Sequence, residues 1–200
     1  MFDVKRIFGI ENQEQFESCA LELFRYQAEH CQPYRRYLEL MAINPADILR
    51  IEDIPFLPIE LFKSSDVYCG EEKPEITFTS SNTGSTVPSR HMMASLALYR
   101  EAFTRAFEEF YGEAKNWSIY GLLPNYLERE GSSLVYMVDT LIKQCGSGGF
   151  YLNNYEQLIE DIKHDSKPKI LLGVSYALWD VAEQYAPKLE NTIIMETGGM

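Results

Sequence analysis

Apolar residues recur at helical spacing through the first quarter of the chain. Asn12 and Gln15 have the spacing of a capping box, so the first helix is predicted to begin there. Asn44-Pro45 supplies an N-cap and a first helical position for a third helix, after a short second one. The apolar positions behind the first two helices are Phe16, Ala20, Leu23, Phe24, Ala28 and Cys31, then Tyr34, Tyr37, Leu38 and Met41.

The pattern changes in the segment IPFLPIELFK. Pro55 and Pro58 favour an extended path over a helix. EITFTSS is then predicted to be a strand that leads into a polar loop. A helix is predicted to follow from about Ser95, which acts as its cap. Its apolar stripe comprises Leu96, Tyr99, Phe103, Ala106 and Phe110.

Strands and helices alternate over the rest of the chain. The predicted strands are WSIYGLL, GFYL, KILLGV and NTIIMET, and the last two are predicted to be buried. Three helices lie between them. Their predicted caps are Ser132 or Ser133 with a closing Gly146, Asn154 with Gln157 as a capping box, and Ser175.

This alternation predicts an α/β fold: an N-terminal helical segment, then a largely parallel sheet with helices on both faces. The predicted division is a helical lead-in over residues 1–50 and an α/β domain over residues 51–200. The chain stops directly after a predicted core strand, so we expect it to be the N-terminal portion of a longer protein. A natural end at a frayed edge is the alternative.

Composition narrows the classes of partner. The 200 residues carry a net charge of −12, and their basic residues are scattered, which disfavours nucleic acid as a partner. No stretch is apolar enough to span a bilayer, and no signal core is visible, so we expect a soluble, cytoplasmic protein. The four cysteines, Cys19, Cys31, Cys69 and Cys145, lack C-x-x-C spacing, which predicts packing roles and no metal site.

The loop FTSSNTGSTVPSRH concentrates small hydroxyls and backbone amides ahead of Arg90. Such a loop can wrap phosphate when a helix N-terminus is near. It is neither a Walker A motif nor a dinucleotide-binding glycine motif. From composition alone, a phosphate loop and a hydroxyl-rich surface turn both remain open.

The same loop resembles the Ser/Thr/Gly phosphate loop of the adenylate-forming superfamily. Further segments narrow the resemblance to acyl-protein synthetases of the LuxE type, the fatty-acid-activating luciferin-component ligases. They occur in the family's order, over residues from about 50 to 200: IPFLPIELFK, SRH, GGFYL, LLGVSYALWDVAE and IIMETGGM. The loop departs from the superfamily pattern at Asn82, at the inverted Gly84-Ser85 order and by one extra residue before Pro88.

The resemblance implies a ligase that forms an acyl-adenylate from ATP and a fatty or other carboxylic acid and passes the acyl group to a thiol. That thiol would be a C-terminal cysteine of its own, coenzyme A or a carrier protein, and an acyl reductase or acyltransferase would be a partner. The residues implied to bind the nucleotide phosphates are Thr79, Ser80, Ser81, Asn82, Thr83, Gly84, Ser85 and Arg90. Gly198 and Gly199 would lie against the adenine.

Tyr120, Leu123 and Tyr176 are candidates for the wall of an acyl pocket, with an ordinary core as the alternative. The family's Mg²⁺ ligand, catalytic lysine and acceptor cysteine are expected after residue 200, so the 200-residue chain is expected to be inactive alone. The competing hypothesis is a binding or interaction domain that keeps the fold without nucleotide turnover. A third hypothesis, a phosphate ester hydrolase, is disfavoured because the sequence lacks the paired Asp, His or Cys residues that such chemistry uses.

Three single residues carry open alternatives. Cys145 ends a predicted helix, where a thiol pKa is not lowered, so packing is favoured over a nucleophile. His91 is either a phosphate or carboxylate contact or a partly exposed surface residue. Glu196 is predicted to make a strand-end hydrogen bond rather than to bind a metal.

Overall fold

A computed structural model of the protein describes residues 3–70, 72–80, 87–124 and 131–198. The chain divides into two compact units, residues 1–98 and 99–200. Each unit contains its own cluster of buried apolar side chains. Over the described ranges, no helix combines the length and apolar character needed to cross a membrane.

Two helices form the centre of the first unit. Helix α1 spans Gln13–His30 and helix α2 spans Gln32–Leu40. The Asn12 side chain accepts the Gln15 N–H at 3.0 Å, as predicted. The Gln15 side chain returns to the N–H of Glu11 at 2.8 Å, one residue before the position of a standard capping box. The core residues of these helices are Phe24, Ala28, Cys31, Tyr34 and Leu38.

Short turns and a non-helical segment wrap this pair. Turns of 3₁₀ helix occupy Val4–Gly9, Pro45–Asp47 and Ile51–Asp53, and helix α3 spans only Leu61–Ser64. The predicted third helix is therefore a single turn, although Asn44 does cap it. Residues 54–58 form no helix, as the prolines predict, and the backbone of Ile54 is extended.

A two-stranded antiparallel hairpin completes the first unit. Strand β1 spans Ile76–Thr79 and strand β2 spans Arg90–Met93, with Thr79 opposite Arg90. The sequence predicted β1 but not β2, because four residues that include Arg90 and His91 show no strand-like alternation. Helix α4, Leu96–Tyr111, follows, and Ser95 accepts the Leu98 N–H at its start, as predicted.

The predicted stripe of α4 is wrong at two positions, Ala106 and Phe110, because both residues are exposed. Phe110 is 80% exposed, whereas Phe103 and Phe107 are buried. The buried pair is spaced four residues apart, and so lies on one face of the helix.

The second unit contains a four-stranded parallel sheet in the order β4-β3-β5-β6. The helices alternate with these strands along the chain, which confirms the predicted α/β fold with a parallel sheet. The strands are β3 (Ser118–Leu122), β4 (Gly148–Tyr151), β5 (Lys169–Val174) and β6 (Thr192–Thr197); the helices are α5 (Ser133–Cys145), α6 (Tyr155–His164) and α7 (Ser175–Tyr185).

Helices cover both faces of this sheet. Adjacent residues of a strand point to opposite faces. Gly121 faces Val138 of α5, whereas the hydroxyl of its neighbour Tyr120 bonds Asp165 just after α6. Gly173 pairs with Leu122, on the Tyr120 face, and contacts Leu178 of α7. Helix α5 therefore covers one face, and α6 and α7 cover the other.

The helix caps of this unit show where local patterns suffice. Ser132 accepts the Val135 N–H, and Gly146 closes α5 with a left-handed φ of 67°, both as predicted. The capping box at Asn154 is wrong: Asn154 accepts from Leu152, and Gln157 donates to Asp161 instead. The Ser175 cap is also wrong, because Ser175 lies inside α7 and its hydroxyl donates to Glu196.

The last two strands differ in burial. Strand β5 is buried along nearly its whole length, as predicted, because it has neighbours on both sides. Strand β6 was predicted to be buried and is not: Ile193 and Ile194 are 39% and 58% exposed. It lies at the edge of the described sheet, so one side of it has no neighbouring strand there.

Candidate functional site

The polar loop is closed at its base by the β1–β2 hairpin. The N–H of Ser80 donates to the carbonyl of Ser89 at 3.1 Å, and the N–H of Ser89 donates to the Ser80 hydroxyl at 3.0 Å. These two bonds continue the hairpin register by one pair past Thr79 and Arg90. Both ends of the loop are therefore held together by backbone amides and a small hydroxyl.

Arg90 stands at the loop base and is paired with an acid. Its Nη2 lies 2.7 Å from Oδ1 of Asp66, and both side chains are about half exposed or more. The next residue of β2, His91, meets the ring of Phe62 edge-on, with the ring centroids 5.9 Å apart. The segment that contains Phe62 and Asp66 thus packs against β2 and binds its only described arginine.

The N-terminus of α4 is already capped. Glu75, just before β1, accepts the N–H of Leu96 at 2.8 Å through its carboxylate, and Ser95 accepts that of Leu98. A carboxylate at a helix N-terminus satisfies free amides and the helix dipole. An anion bound at the loop would therefore be held by the loop's own groups and Arg90.

A cavity of about 590 Å³ lies within the first unit, between the two long helices and the segment that follows them. Its walls are almost entirely apolar and include two cysteines. Such a volume is in the ~300–1,000 Å³ range of small-molecule sites. Representative wall residues are Ala20, Leu23, Phe24, Leu57, Phe62 and Val67.

Cys31 and Cys69 meet in the wall of this cavity. A hydrogen bond from the Cys69 thiol lowers the pKa of Cys31 to about 6, with help from the N–H groups of Tyr34 and Tyr68 and against the effect of burial. The same pair raises the pKa of Cys69, and its burial adds to that shift. Cys31 also precedes α2, where the helix dipole favours a thiolate.

Tyr34 ties the cavity wall together. Its hydroxyl donates to the carbonyl of Pro55 at 2.7 Å and so joins α2 to the non-helical segment. Burial, as the largest cause, raises the pKa of Tyr34 to about 12. The neutral hydroxyl is therefore a permanent donor in the neutral pH range.

The predicted site residues fall in several places. Thr79, Ser80 and Arg90 lie together at the loop base. Ser81, Asn82, Thr83, Gly84 and Ser85 lie outside the described residues, as does Gly199. Gly198 is described and follows β6.

The acyl-pocket candidates lie in the second unit. Tyr120 and Leu123 are buried in its core, and Tyr176 packs against that core. The Tyr120 hydroxyl donates to the Asp165 carboxylate at 2.8 Å. Burial is the largest cause that raises the pKa of Tyr120, and that bond is the next. Cys145 is buried in the same core, and burial raises its thiol pKa, in keeping with the predicted packing role.

The second unit also has a topological switch point. From β3 the chain crosses to β4 on one side, and it later returns to β5 on the other. Ligands of open parallel sheets bind outside the carboxyl ends of the strands at such a point. Ser175, just after β5, donates its hydroxyl to Glu196 near the end of β6 at this edge. The strand-end hydrogen bond predicted for Glu196 is present.

Sequence reasoning missed Asp66, the cavity and the paired thiols. Asp66 stands in a run of small polar residues and is placed against Arg90 only by tertiary structure. The cavity residues of α1 have the spacing of an ordinary apolar helix face, which predicts core packing and no cavity. The available signal for the cavity was the pair of prolines at 55 and 58. They disfavour a helix there, and a non-helical segment beside two helices leaves part of their apolar faces uncovered.

Comparison with known proteins gives one family. Residues 6–119 match the family model described as acyl-protein synthetase, LuxE. The match includes the helices of the first unit, the cavity residues and the hairpin. A long-chain-fatty-acid–luciferin-component ligase of Photorhabdus luminescens is 34% identical over 79 residues, which cover 38% of this chain and 67% of that protein.

Proposed function

The chain belongs to the acyl-protein synthetase (LuxE) family, and from this premise we propose that it serves the ATP-dependent activation of a fatty acid. In the proposed reaction, a carboxylate oxygen attacks the α-phosphate of ATP, which gives an acyl-adenylate and pyrophosphate. A thiol then takes the acyl group and releases AMP. The proposed reaction is the one that adenylate-forming enzymes catalyse.

The observation that supports the proposal is the closed base of the polar loop. Ser80 and Ser89 join the two strands there, and Arg90 stands at the next pair. Hydroxyls, amides and one guanidinium are the donors that phosphate oxygens accept from. A guanidinium offers a planar fork, whereas a lysine would offer a point charge.

We assign phosphate binding to Thr79, Ser80, residues 81–85 and Arg90, and adenine contact to Gly198 and Gly199. Mg²⁺ would accompany the nucleotide phosphates, and we assign it no residue of this chain. The proposed acyl donor is a long-chain fatty acid, after the substrate named for the Photorhabdus relative. The proposed acceptor is a thiol of the same protein, of coenzyme A or of a carrier, with an acyl reductase or acyltransferase as the next enzyme.

A binding experiment tests the assignment. The chain is titrated calorimetrically, in magnesium buffer, with an acyl sulfamoyl adenosine, which mimics the acyl-adenylate and cannot be hydrolysed. Binding should be lost or weakened at least about tenfold in Arg90→Ala, since a charged hydrogen-bond donor contributes ~1.5–3 kcal/mol. Arg36→Ala is the matched control, because Arg36 also pairs with an exposed acid, Glu39.

A second candidate function is a binding or interaction domain without nucleotide turnover. Two observations favour it: Arg90 is already paired with Asp66, and α4 is already capped by Glu75. In that case the analogue would not bind, and Asp66→Asn would not restore binding. Binding that depends on Arg90 would exclude this candidate.

A further inference from the structure

We propose that the apolar cavity of the first unit binds the aliphatic chain of an acyl group, with the head of that group directed toward β2. The inference rests on the proposed function for the identity of the chain. It goes beyond that function in placing the chain among residues 16–69, far in sequence from Tyr120, Leu123 and Tyr176.

The cavity has the size and the surface for such a ligand. Its volume is about 590 Å³, and its floor is formed by side chains that are themselves buried, among them Phe24 and Cys31. The rim residue Phe56 is 81% exposed. An aromatic side chain left in water beside an apolar cavity marks a surface that an apolar ligand would cover.

One wall of the cavity separates it from the loop base. Phe62 lines the cavity, and its ring contacts His91 of β2. Val67 lines it too, and Asp66, the residue before it, binds Arg90. A chain in the cavity would therefore have one end close to Arg90 and His91, where the proposed reaction needs a carboxylate.

Charge fixes which part of the ligand fits inside. Among the described residues that line the cavity, the charges are negative, on the Glu52 carboxylate and on the Cys31 thiolate above its pKa of about 6, and none is a lysine, arginine or histidine. A carboxylate would be desolvated there without a cation. The hydrocarbon therefore belongs inside the cavity, and the carboxylate belongs near Arg90.

A chain-length series tests the site directly. The 200-residue chain is titrated with hexanoate, octanoate, decanoate and dodecanoate in a calorimeter, without nucleotide. Each buried methylene should strengthen binding about fourfold. An affinity that does not change with chain length, or no binding of dodecanoate, would overturn the inference.

Two variants locate the binding. Ala20→Trp fills the cavity and should weaken dodecanoate binding at least about 15-fold, which corresponds to two displaced methylenes. Glu29→Trp is the control, because Glu29 is exposed on the opposite side of α1. Phe56→Ser removes an exposed rim ring, so it should weaken binding and leave the unfolding temperature unchanged. Equal affinity in Ala20→Trp and Glu29→Trp would place the ligand elsewhere and refute the site.

Failure of this inference and failure of the proposed function give different results. An acetyl sulfamoyl adenosine has no chain to place in the cavity. If it binds the parent chain and Ala20→Trp equally while dodecanoate does not bind, the cavity inference fails and the nucleotide site stands. If dodecanoate binds with the expected chain-length dependence and neither analogue binds, the cavity stands and the proposed function fails.

Discussion

Arg90 and Asp66 form an ion pair at the base of the polar loop, and a bound phosphate would compete with that aspartate. Exposed pairs contribute up to ~1 kcal/mol. Asp66→Asn should therefore release Arg90 and strengthen binding of the acyl-adenylate analogue by up to about fivefold in calorimetry. Glu39→Gln, which releases Arg36 in the same way, should change nothing. Weaker binding in Asp66→Asn would show that the aspartate orients Arg90 instead of competing for it.

Cys31 and Cys69 give a residue-scale prediction in pH. A thiolate is the deprotonated form, so a Cys31 pKa of about 6 means that Cys31 is charged above pH 6 and neutral below it. A titration of ultraviolet thiolate absorbance, taken as the difference between the parent chain and Cys31→Ala, should have its midpoint near pH 6.

The cause of that shift can be tested at the second thiol. Because the Cys69 hydrogen bond is the largest cause, Cys69→Ala should move the midpoint upward, toward the ordinary thiol pKa. Cys69→Ser keeps a donor and should largely retain the low value. An unchanged midpoint in Cys69→Ala would assign the shift to the amides of Tyr34 and Tyr68 and the dipole of α2.

At the scale of elements, β4 begins at a glycine that the sheet requires. Gly148 has φ 98°, and a Cβ there would lie 1.9 Å from the carbonyl oxygen of Ile119 on β3. Gly148→Ala should lower the free energy of unfolding by about 2 kcal/mol or more. Gly149→Ala is the control, since its Cβ would meet only Tyr151 at 4.0 Å. Chemical denaturation measures both, and equal losses would contradict the prediction.

The two central residues of paired strands should respond differently to truncation. Leu171 on β5 is buried and pairs with Ile194 on β6, which is 58% exposed. Leu171→Ala should cost about 2–5 kcal/mol of unfolding free energy, and Ile194→Ala should cost clearly less. Comparable costs, measured by denaturant titration, would mean that β6 is covered in solution.

The elements also show what a sequence can predict. Asn12, Ser132 and Gly146 were identified correctly because a cap acts within a few residues of itself. The predicted caps at Asn154 and Ser175 have similar local patterns but do not form. The Gln157 side chain, which the Asn154 capping box required, bonds Asp161, and the Ser175 hydroxyl bonds Glu196. The exposure of β6 was missed because burial depends on which strands are neighbours, and residue type does not encode that.

In the candidate site, too, the sequence predicts what is contiguous in the chain and misses what tertiary structure brings together. The hydroxyl-rich loop and Arg90 can be found in the sequence, because they are contiguous. Asp66 and Phe62 could not be placed, because only the fold brings them to β2. The resemblance to acyl-protein synthetases is confirmed at the level of the family, and the matched residues 6–119 also include the helical lead-in that the resemblance did not cover.

At the scale of the whole molecule, the net charge of −12 opposes the approach of a polyphosphate. This repulsion acts over long distances and is screened by salt, with a Debye length of ~10 Å at 0.1 M. Added salt weakens the short-range bond from Arg90 to a phosphate less than it weakens this long-range repulsion. The association rate of a nucleoside triphosphate, followed by stopped-flow fluorescence, should therefore rise as salt is added in the millimolar range. Nucleic-acid-binding proteins show the opposite sign.

An uncharged ligand separates this effect from a general influence of salt. The chain of decanol would enter the apolar cavity proposed for the acyl chain. Its association rate should not follow the salt dependence of the nucleotide, because decanol carries no charge for the field to repel. If the nucleotide's rate instead falls with salt, a local positive field at the loop outweighs the net charge. Arg90→Ala should then abolish that fall, since Arg90 is the cation at the loop base.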